Sequence, residues 1–458
     1  MFMEHPMGLW NVDYITIKGG NNSYLRLGSV TTTQRDALPA IDGTLIYNKT
    51  TSTIQGYYDG SWVDWSAAGA GSDTTAIHDD TAGEIVAITE KTSPVGADEF
   101  LIEDSEDSNN KKSVKFSNLG SAGVPMKTSE AITIYVDTGG NDSTGDGSSG
   151  NPYLTVNKAV AHYLKCYPYI AHDCAIAIGA GTFTLTSAID LAGLAIFGSL
   201  TFTAKDTSDN LLYDRGTADA GGGNNELDDT SKSWDVDEWN GGWVAIIKGT
   251  GAGQVRTISD TTATKLTVSV NWTTNPDATS VYVLSATKID GNAAVSGCFT
   301  ASRIDNVKLT GLYITGATGW QILNYYGFNW RVTAGLIDGS TTDNGIFQSG
   351  GSMNIRGTWV RADGIGILGQ YQAALELASS GENAMCVIAG NAGTDTGLEA
   401  NYSAAIYTSA GNITFVDWNK GIYAHNNSVV GNGLGQTFVN CTTNADPAAA
   451  SDASFIEA

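Results

Sequence analysis

Residues 134–160 read IYVDTGGNDSTGDGSSGNPYLTVNKAV, and the fold turns on them. Ile132–Val136 is strand-like. Asp137–Asn151 is then given over to Gly, Asp, Asn and Ser, residues that tolerate turn conformations. Thr155 stands where a hydroxyl accepts a backbone N–H at a helix start. After it Val156, Ala159, Val160, Tyr163 and Leu164 fall on one face at helical spacing. Strand resumes at CAIAIGAGTFTL (174–185), with a tight turn at Gly179 and Gly181, and LAGLAIFGSLTFTA (191–204) follows as another strand pair. A solenoid needs this order. Its first coil exposes apolar interior and unpaired strand edges, and a short amphipathic helix can cover both.

The rest of the chain agrees with stacking. At 458 residues it is too long for one ordinary core, so it holds about three domains or one long solenoid. The 55 Gly, the abundant Thr, Ser, Asn and Ile, and the short apolar runs broken by turn residues describe an all-β protein. From Val307 strand-like runs recur at VKLTGLYI, VTAGLID (332), MNIRGTWV (353), CVIAG (386), ITFVDW (413) and QTFVNC (436). The spacing of 21 to 33 residues is that of coils without a strict motif. NGIFQS (344), AAIYTS (404) and KGIYAHN (420) read as second strands with Ile inward and the aromatic outward. An antiparallel sandwich accounts less well for the helical lid and the uneven spacing. Thr207–Asp290 interrupts the series. WVAIIKG, QVRTISD, KLTVSV and SVYVL predict a small β-barrel-like insert with Trp234, Trp239, Trp243 and Trp272 as its core.

Charge and cysteine usage narrow the partners. With 24 Lys and Arg against 48 Asp and Glu the net charge is −24. No run of clustered cations offers a phosphate-binding groove, so nucleic acid is not an expected partner; the acidity favours solubility. No window of 18 uncharged apolar residues is present, so no membrane insertion is expected. The stretch MFMEHPMGLW lacks the basic segment and apolar core of a secretory signal. Cys166, Cys174, Cys298, Cys386 and Cys441 lack zinc spacing and read as small buried thiols in a reducing compartment. No cofactor or metal motif appears. Asp137, Asp142 and Asp146 are not spaced as in an EF-hand loop and read as turn residues.

Four stretches resemble known families. Tyr135, Val136, Asp137, Asp142, Gly147, Pro152, Thr155 and Ala159 match the entry pattern of the right-handed parallel β-helix of the pectate-lyase-like type. The run QRDALPA…GTLIYN…T…QGYYDGSWVDW (34–65) resembles a small module of bacteriophage tail-fibre proteins. The segment 84–119 and the insert resemble pieces recurrent in phage structural and fibre proteins. The resemblance implies an N-terminal β-meander at 1–71 attaching to other virion tail proteins, a linker and connecting hairpin at 72–125, and β-helix entry with its capping helix at 126–206. The insert follows at 207–290, then rungs and tail at 291–458. It further implies a homotrimeric tail fibre or tailspike of the virion, assembled in the host cytoplasm and attaching to a host cell-surface glycan. A polysaccharide depolymerase, glycosidase or lyase, on the same fold is the main alternative. A bracing or decorating fibre without receptor binding is another, and a secreted adhesin is disfavoured by the missing signal.

Candidate site residues follow from chemistry. A glycan-cleaving site needs two facing carboxylates, and the rungs supply Asp305, Asp338, Asp343, Asp363, Glu376, Glu382, Asp395, Glu399 and Asp417. Several adjoin Gly and read as turn formers, and no catalytic residue is singled out. Lys308, Arg331, Arg356, Arg361 and Lys420 are the available bases, and His425 in IYAHNN reads as a loop histidine. GWQILNYYGFNWR (319–331) gathers Trp320, Tyr325, Tyr326, Phe328 and Trp330. Buried, these rings form a stack. Exposed, Trp320, Tyr325, Tyr326 and Trp330 form a platform for the apolar faces of sugars.

Overall fold

The structure is a computed structural model describing residues 27–65, 99–104, 110–115, 127–220, 222–339, 343–377, 384–390, 396–408, 413–432, 436–447 and 455–456. It divides into two compact units, Met1–Pro94 and Val95–Ala458.

In the first unit the expected meander is present as Leu45–Asn48, Thr53–Tyr58 and Ser61–Asp64, joined antiparallel. The sequence reading missed two elements there. Ser29–Val30 pairs parallel with Tyr47 and Asn48, and the short helix α1 (Thr32–Asp36) is closed by a capping box between Thr31 and Gln34.

The second unit contains the hairpin Glu99–Asp104 and Asn110–Lys115, and then a parallel β-helix. Three parallel sheets run along the coil. Sheet one has ten strands: Thr133–Val136, Asp173–Ile178, Ser199–Ala204, Val307–Thr310, Trp330–Thr333, Ser352–Arg356, Ala374–Leu377, Ala405–Thr408, Val429–Asn432 and Phe455–Ile456. Sheet two has eight: Gly181–Thr184, Thr287–Asp290, Tyr313–Thr315, Leu336–Gly339, Trp359–Ala362, Met385–Ala389, Ile413–Val416 and Thr437–Val439. Sheet three has eight: Ile189–Asp190, Gly297–Ser302, Trp320–Tyr325, Asn344–Ser349, Ile365–Gln370, Thr396–Asn401, Lys420–Ala424 and Thr443–Pro447. The antiparallel alternative is thereby excluded.

Parallel register stacks like on like. In sheet one Ile134, Ile176, Phe202, Leu309, Val332, Ile355 and Leu377 are successive partners. In sheet two the inward row is Phe183, Ile289, Ile314, Ile337, Val360, Val387 and Phe415. In sheet three it is Ile189, Phe299, Ile322, Ile346, Ile367, Leu398 and Ile422. All these side chains belong to one continuous core. Burial of each contributes on the order of 1.5–3 kcal/mol, and strict register follows because a one-residue slip turns every one of them outward.

The opening stretch builds the lid. Helix α2 (Val156–Cys166) starts at Thr155, whose hydroxyl accepts the Lys158 N–H. It buries Val156, Ala159, Val160 and Tyr163 against the first strands of the coil. The loop before it is a set of side-chain-to-backbone bonds. Asp137 accepts from Gly139, Asn141 from Ser143 and Thr144, and Asp146 from Ser148. Asp142 reaches across to the helix start, accepting the N–H groups of Leu154 and Thr155 and the Thr155 hydroxyl.

The insert replaces a corner. In the coils on either side sheet one passes to sheet two through two residues, as at Gly179–Ala180, Gly311–Leu312 and Ala334–Gly335; after Ala204 the chain instead builds six antiparallel strands before Thr287. The four expected strands are present, and Tyr213–Thr217 and Glu226–Asp228 complete the sheet. The run Trp243–Lys248 is buried on both faces. Val244 and Ile246 join Trp234, Trp239, Trp272 and Tyr282 in the insert's own core, while Ala245 and Ile247 turn toward Tyr313, Leu336, Trp359 and Cys386 on the outer side of sheet two. Trp243 is therefore not part of the insert's core. Its ring meets Tyr313 edge-on at 5.1 Å, because it lies on the strand face turned to the coil. Trp359 Nε1 donates to the Gly253 carbonyl at 3.0 Å.

Candidate functional site: the outer face of sheet three and its corner

Sheet three presents three outward rows. The first runs Trp320, Asn344, Ile365, Thr396, Lys420; the second Leu323, Phe347, Leu368, Glu399, Tyr423; the third Tyr325, Ser349, Gln370, Asn401, His425. The early coils are apolar here: Phe347 lies between Trp320 at 5.2 Å and Tyr325 at 5.1 Å. The later coils are polar and ionisable. His425 Nε2 lies 2.8 Å from Glu399 Oε1, its Nδ1 lies 3.2 Å from the Asn426 amide nitrogen, and its ring stacks on Tyr423 at 4.4 Å. Lys420 Nζ sits 3.6 Å above the Tyr423 ring.

At the corner leading back to sheet one the chain leaves six successive strands through a left-handed residue. Arg303 (φ 58°), Tyr326 (59°), Gly350 (61°), Tyr371 (51°), Tyr402 (48°) and Asn426 (53°) occupy equivalent places on successive coils. Tyrosine is an expensive choice for that backbone, where Gly or Asn is unstrained. The rings are nonetheless half-exposed, 48% at Tyr326, 47% at Tyr371 and 46% at Tyr402. Tyr371 and Tyr402 stack with centroids 4.8 Å apart and planes 4° from parallel. Tyr326 lies over Gly350, where a Cβ would stand 2.5 Å from its ring, so Gly there makes room for the tyrosine.

The sequence-derived platform is partly assembled. Trp320 and Tyr325 share the outer face, and Tyr326 stands at the corner with Phe328, which is 56% exposed. Trp330 does not join them. It is 1% exposed in the coil core, with Nε1 donating to the Ile304 carbonyl at 2.7 Å, because it points inward at the start of a sheet-one strand. Phe347, Tyr371, Tyr402, Tyr423 and His425 were not foreseen as part of this face; their only sequence signal is recurrence at the uneven coil period.

The carboxylates are engaged locally. Asp305 accepts the Phe328 N–H, Glu376 binds Asn354 and Arg356, and Asp417 accepts from Asn440. Asp338 is held by Arg361 through both oxygens and by the Tyr313 hydroxyl. Glu382 and Asp395 lie outside the described residues. Both His425 ring nitrogens are engaged, one with Glu399 and one with Asn426. Cys174, Cys298 and Cys386 are buried, and burial pushes the Cys298 thiol up to about 12. Among the described residues no group of three His, Cys, Asp or Glu side chains is placed to hold a metal, and no helix is long and apolar enough to cross a membrane. A larger cavity of about 590 Å³ lies in the insert, lined by Arg215, Asp229 and Lys232 among others. Its Lys232 is paired with Asp214 at 2.8 Å and its Asp229 accepts from Tyr282 at 2.6 Å.

No family model and no curated protein matches the chain. Solved structures with a likeness to it include a glycoside hydrolase at 8% identity and TM-score 0.28, over 68% of this chain and 96% of that one. A tailspike of the Pseudomonas phage phi297 matches at 10% identity and TM-score 0.20, over 65% and 73% of the two chains. A tailspike of the Acinetobacter baumannii bacteriophage AP22, solved with a capsular saccharide of that bacterium, matches at 6% and 0.20, over 60% and 64%.

Proposed function

We propose that the chain is a virion appendage protein of the tailspike or tail-fibre kind whose coil binds a cell-surface glycan along the outer face and corner of sheet three. The observation that carries this is the tyrosine ladder. Tyr326, Tyr371 and Tyr402 sit at equivalent corners with strained backbones and half-exposed rings. Strain of this kind costs about 1–3 kcal/mol per residue and persists where a site needs it. Rings repeating along the coil suit an extended sugar chain, whose C–H faces pack on aromatic rings while hydroxyls take hydrogen bonds at the rim. Asn401, Gln370 and Glu399 stand beside the ladder as such partners. The tail-fibre resemblance of residues 34–65 supports a virion location.

The test is binding of fluorescent polysaccharides by the intact protein and by the variant Tyr371→Ala/Tyr402→Ala. Stacking on aromatic faces of this kind is worth about 0.5–1.5 kcal/mol per ring, so a roughly tenfold loss is expected with an unchanged circular dichroism spectrum. Glycan binding at full strength by the folded variant would remove the ladder from the site.

A further inference from the structure

Three cations of the coil stand close together on neighbouring strands and the corner before them. Lys308 and Arg331 are direct register partners on sheet one, and Arg303 stands at the corner just before them. Like charges placed opposite each other across two strands are destabilising. Lys308 is tempered by a bond to the Ser199 hydroxyl, which donates to Asp173. Arg303 and Arg331 are exposed and have no ion-pair partner among the described residues, in a chain with two acidic residues for every basic one. Arg356, one coil further on, is by contrast matched by Glu376 at 3.5 Å.

A cleft of about 370 Å³ opens at this corner, lined by Arg303, Asp305, Tyr326 and Phe328. Its one carboxylate, Asp305, accepts the Phe328 N–H at 2.7 Å and so fixes the loop. Phe328 is followed by the left-handed Asn329 (φ 57°) and then by the sheet-one strand that carries Arg331. Two exposed rings and the unpaired Arg303 guanidinium therefore face one small space, and Arg331 stands exposed on the sheet-one strand that follows. The guanidinium fork matches the two oxygens of a carboxylate or phosphate, and a ring face takes the sugar bearing it.

We propose that this corner binds the anionic group of an acidic glycan, a carboxylate or phosphate, with Arg303 in the cleft as its donor, Arg331 on the following strand as a second, and Tyr326 and Phe328 beneath the sugar. This rests on the glycan-binding reading above and adds the ligand's charge. The bound anion relieves the Lys308–Arg331 repulsion, and it concentrates attraction locally on a chain whose net charge of −24 repels polyanions elsewhere.

The experiment uses an array of bacterial surface polysaccharides, neutral, uronate-bearing and phosphate-bearing, each uronate accompanied by its carboxyl-reduced form. It is probed with the full chain, with Arg303→Gln/Arg331→Gln, and with Tyr371→Ala/Tyr402→Ala. Acidic glycans are expected among those bound, and the arginine variant is expected to lose about tenfold or more on them. Loss on carboxyl reduction identifies a uronate; binding of the phosphate-bearing glycans that is lost with the arginine change identifies a phosphate. Neutral glycans bound equally by the full chain and the arginine variant, and weakened by the tyrosine changes, would overturn this inference and leave the glycan reading intact. A chain that binds nothing on the array overturns both.

Discussion

Asp338 keeps only 1% of its surface in water. Arg361 meets it through Nε at 2.7 Å and Nη2 at 2.6 Å, and the Tyr313 hydroxyl donates to it at 2.8 Å. Burial alone would lower the Arg361 pKa, but the bonds to Asp338 outweigh it and hold the guanidinium above its usual value. Burial pushes the Tyr313 phenol well above the ordinary range, and Asp338 adds to the effect. Removing one partner strands a buried charge, which costs more than the pair contributes. Arg361→Ala is expected to cost about 3 kcal/mol, the low end for a buried pair because the arginine side chain is 30% exposed. Asp338→Leu/Arg361→Met together should be nearly neutral. Urea midpoints check both; equal losses in the single and double variants would contradict this account. In the sequence Asp338-Gly339 looked like a turn. The residue alone carried no sign of Arg361, 23 positions away, because side chains one coil apart are neighbours only once the strands are in register. The same distance along the chain hid Lys308 and Arg331 from a scan for clustered cations.

At the level of elements, what could be read was local. The lid was legible because an N-cap and four apolar positions at helical spacing lie within a dozen residues. Its anchor was not, since Asp142 binds residues 12 and 13 positions later. Asp142→Ala leaves the N–H groups of Leu154 and Thr155 and the Thr155 hydroxyl without that acceptor, and is expected to cost about 1–2 kcal/mol at the helix start. Hydrogen exchange in Val156–Cys166 should quicken by about tenfold, while Ile365–Gln370 stays unchanged; uniform quickening would mean that the loop does not act on the helix. The coil period was legible too, but its phase was lost. Runs at 307, 332 and 353 belong to sheet one, whereas those at 386, 413 and 436 belong to sheet two. The strand between them, Ala374–Leu377, carries Glu376 outward and offered too short an apolar signal. AAIYTS, grouped with sheet-three strands by its pattern, is likewise in sheet one as Ala405–Thr408. With the phase lost, Tyr326, Tyr371 and Tyr402 could not be aligned, and the platform was sought in one linear cluster that includes the inward-facing Trp330.

Across the whole second unit, the insert is the feature that joins distant coils. It leaves the coil after Ala204, yet the outer row it covers, Tyr313, Leu336, Trp359 and Cys386, belongs to four later coils. An uncovered row of that kind would be an exposed apolar patch and an association hazard. Solenoid coils ordinarily contact only their neighbours, so stability propagates step by step. A domain packed over four coils adds contacts that open or close together, and it precedes those coils in the chain. Its two-faced strand allows the docking to be broken separately from its own fold: Ile246 points into the insert and Ile247 toward the coil. Ile247→Asp puts a carboxylate against the apolar row, and a group buried without a partner there costs several kcal/mol unless the surfaces part. Amide exchange is expected to rise together in Tyr313–Thr315, Leu336–Gly339, Trp359–Ala362 and Met385–Ala389, with dye binding to the newly exposed row. The insert's inner strands, Lys265–Val268 among them, should keep their protection because the Trp234, Trp239 and Trp272 core is untouched. If exchange rises only within the insert, the coils stand without it and the coupling is absent. If only Leu336 and its immediate neighbours loosen, stability spreads coil by coil and the insert is a passenger on a solenoid that needs no clasp.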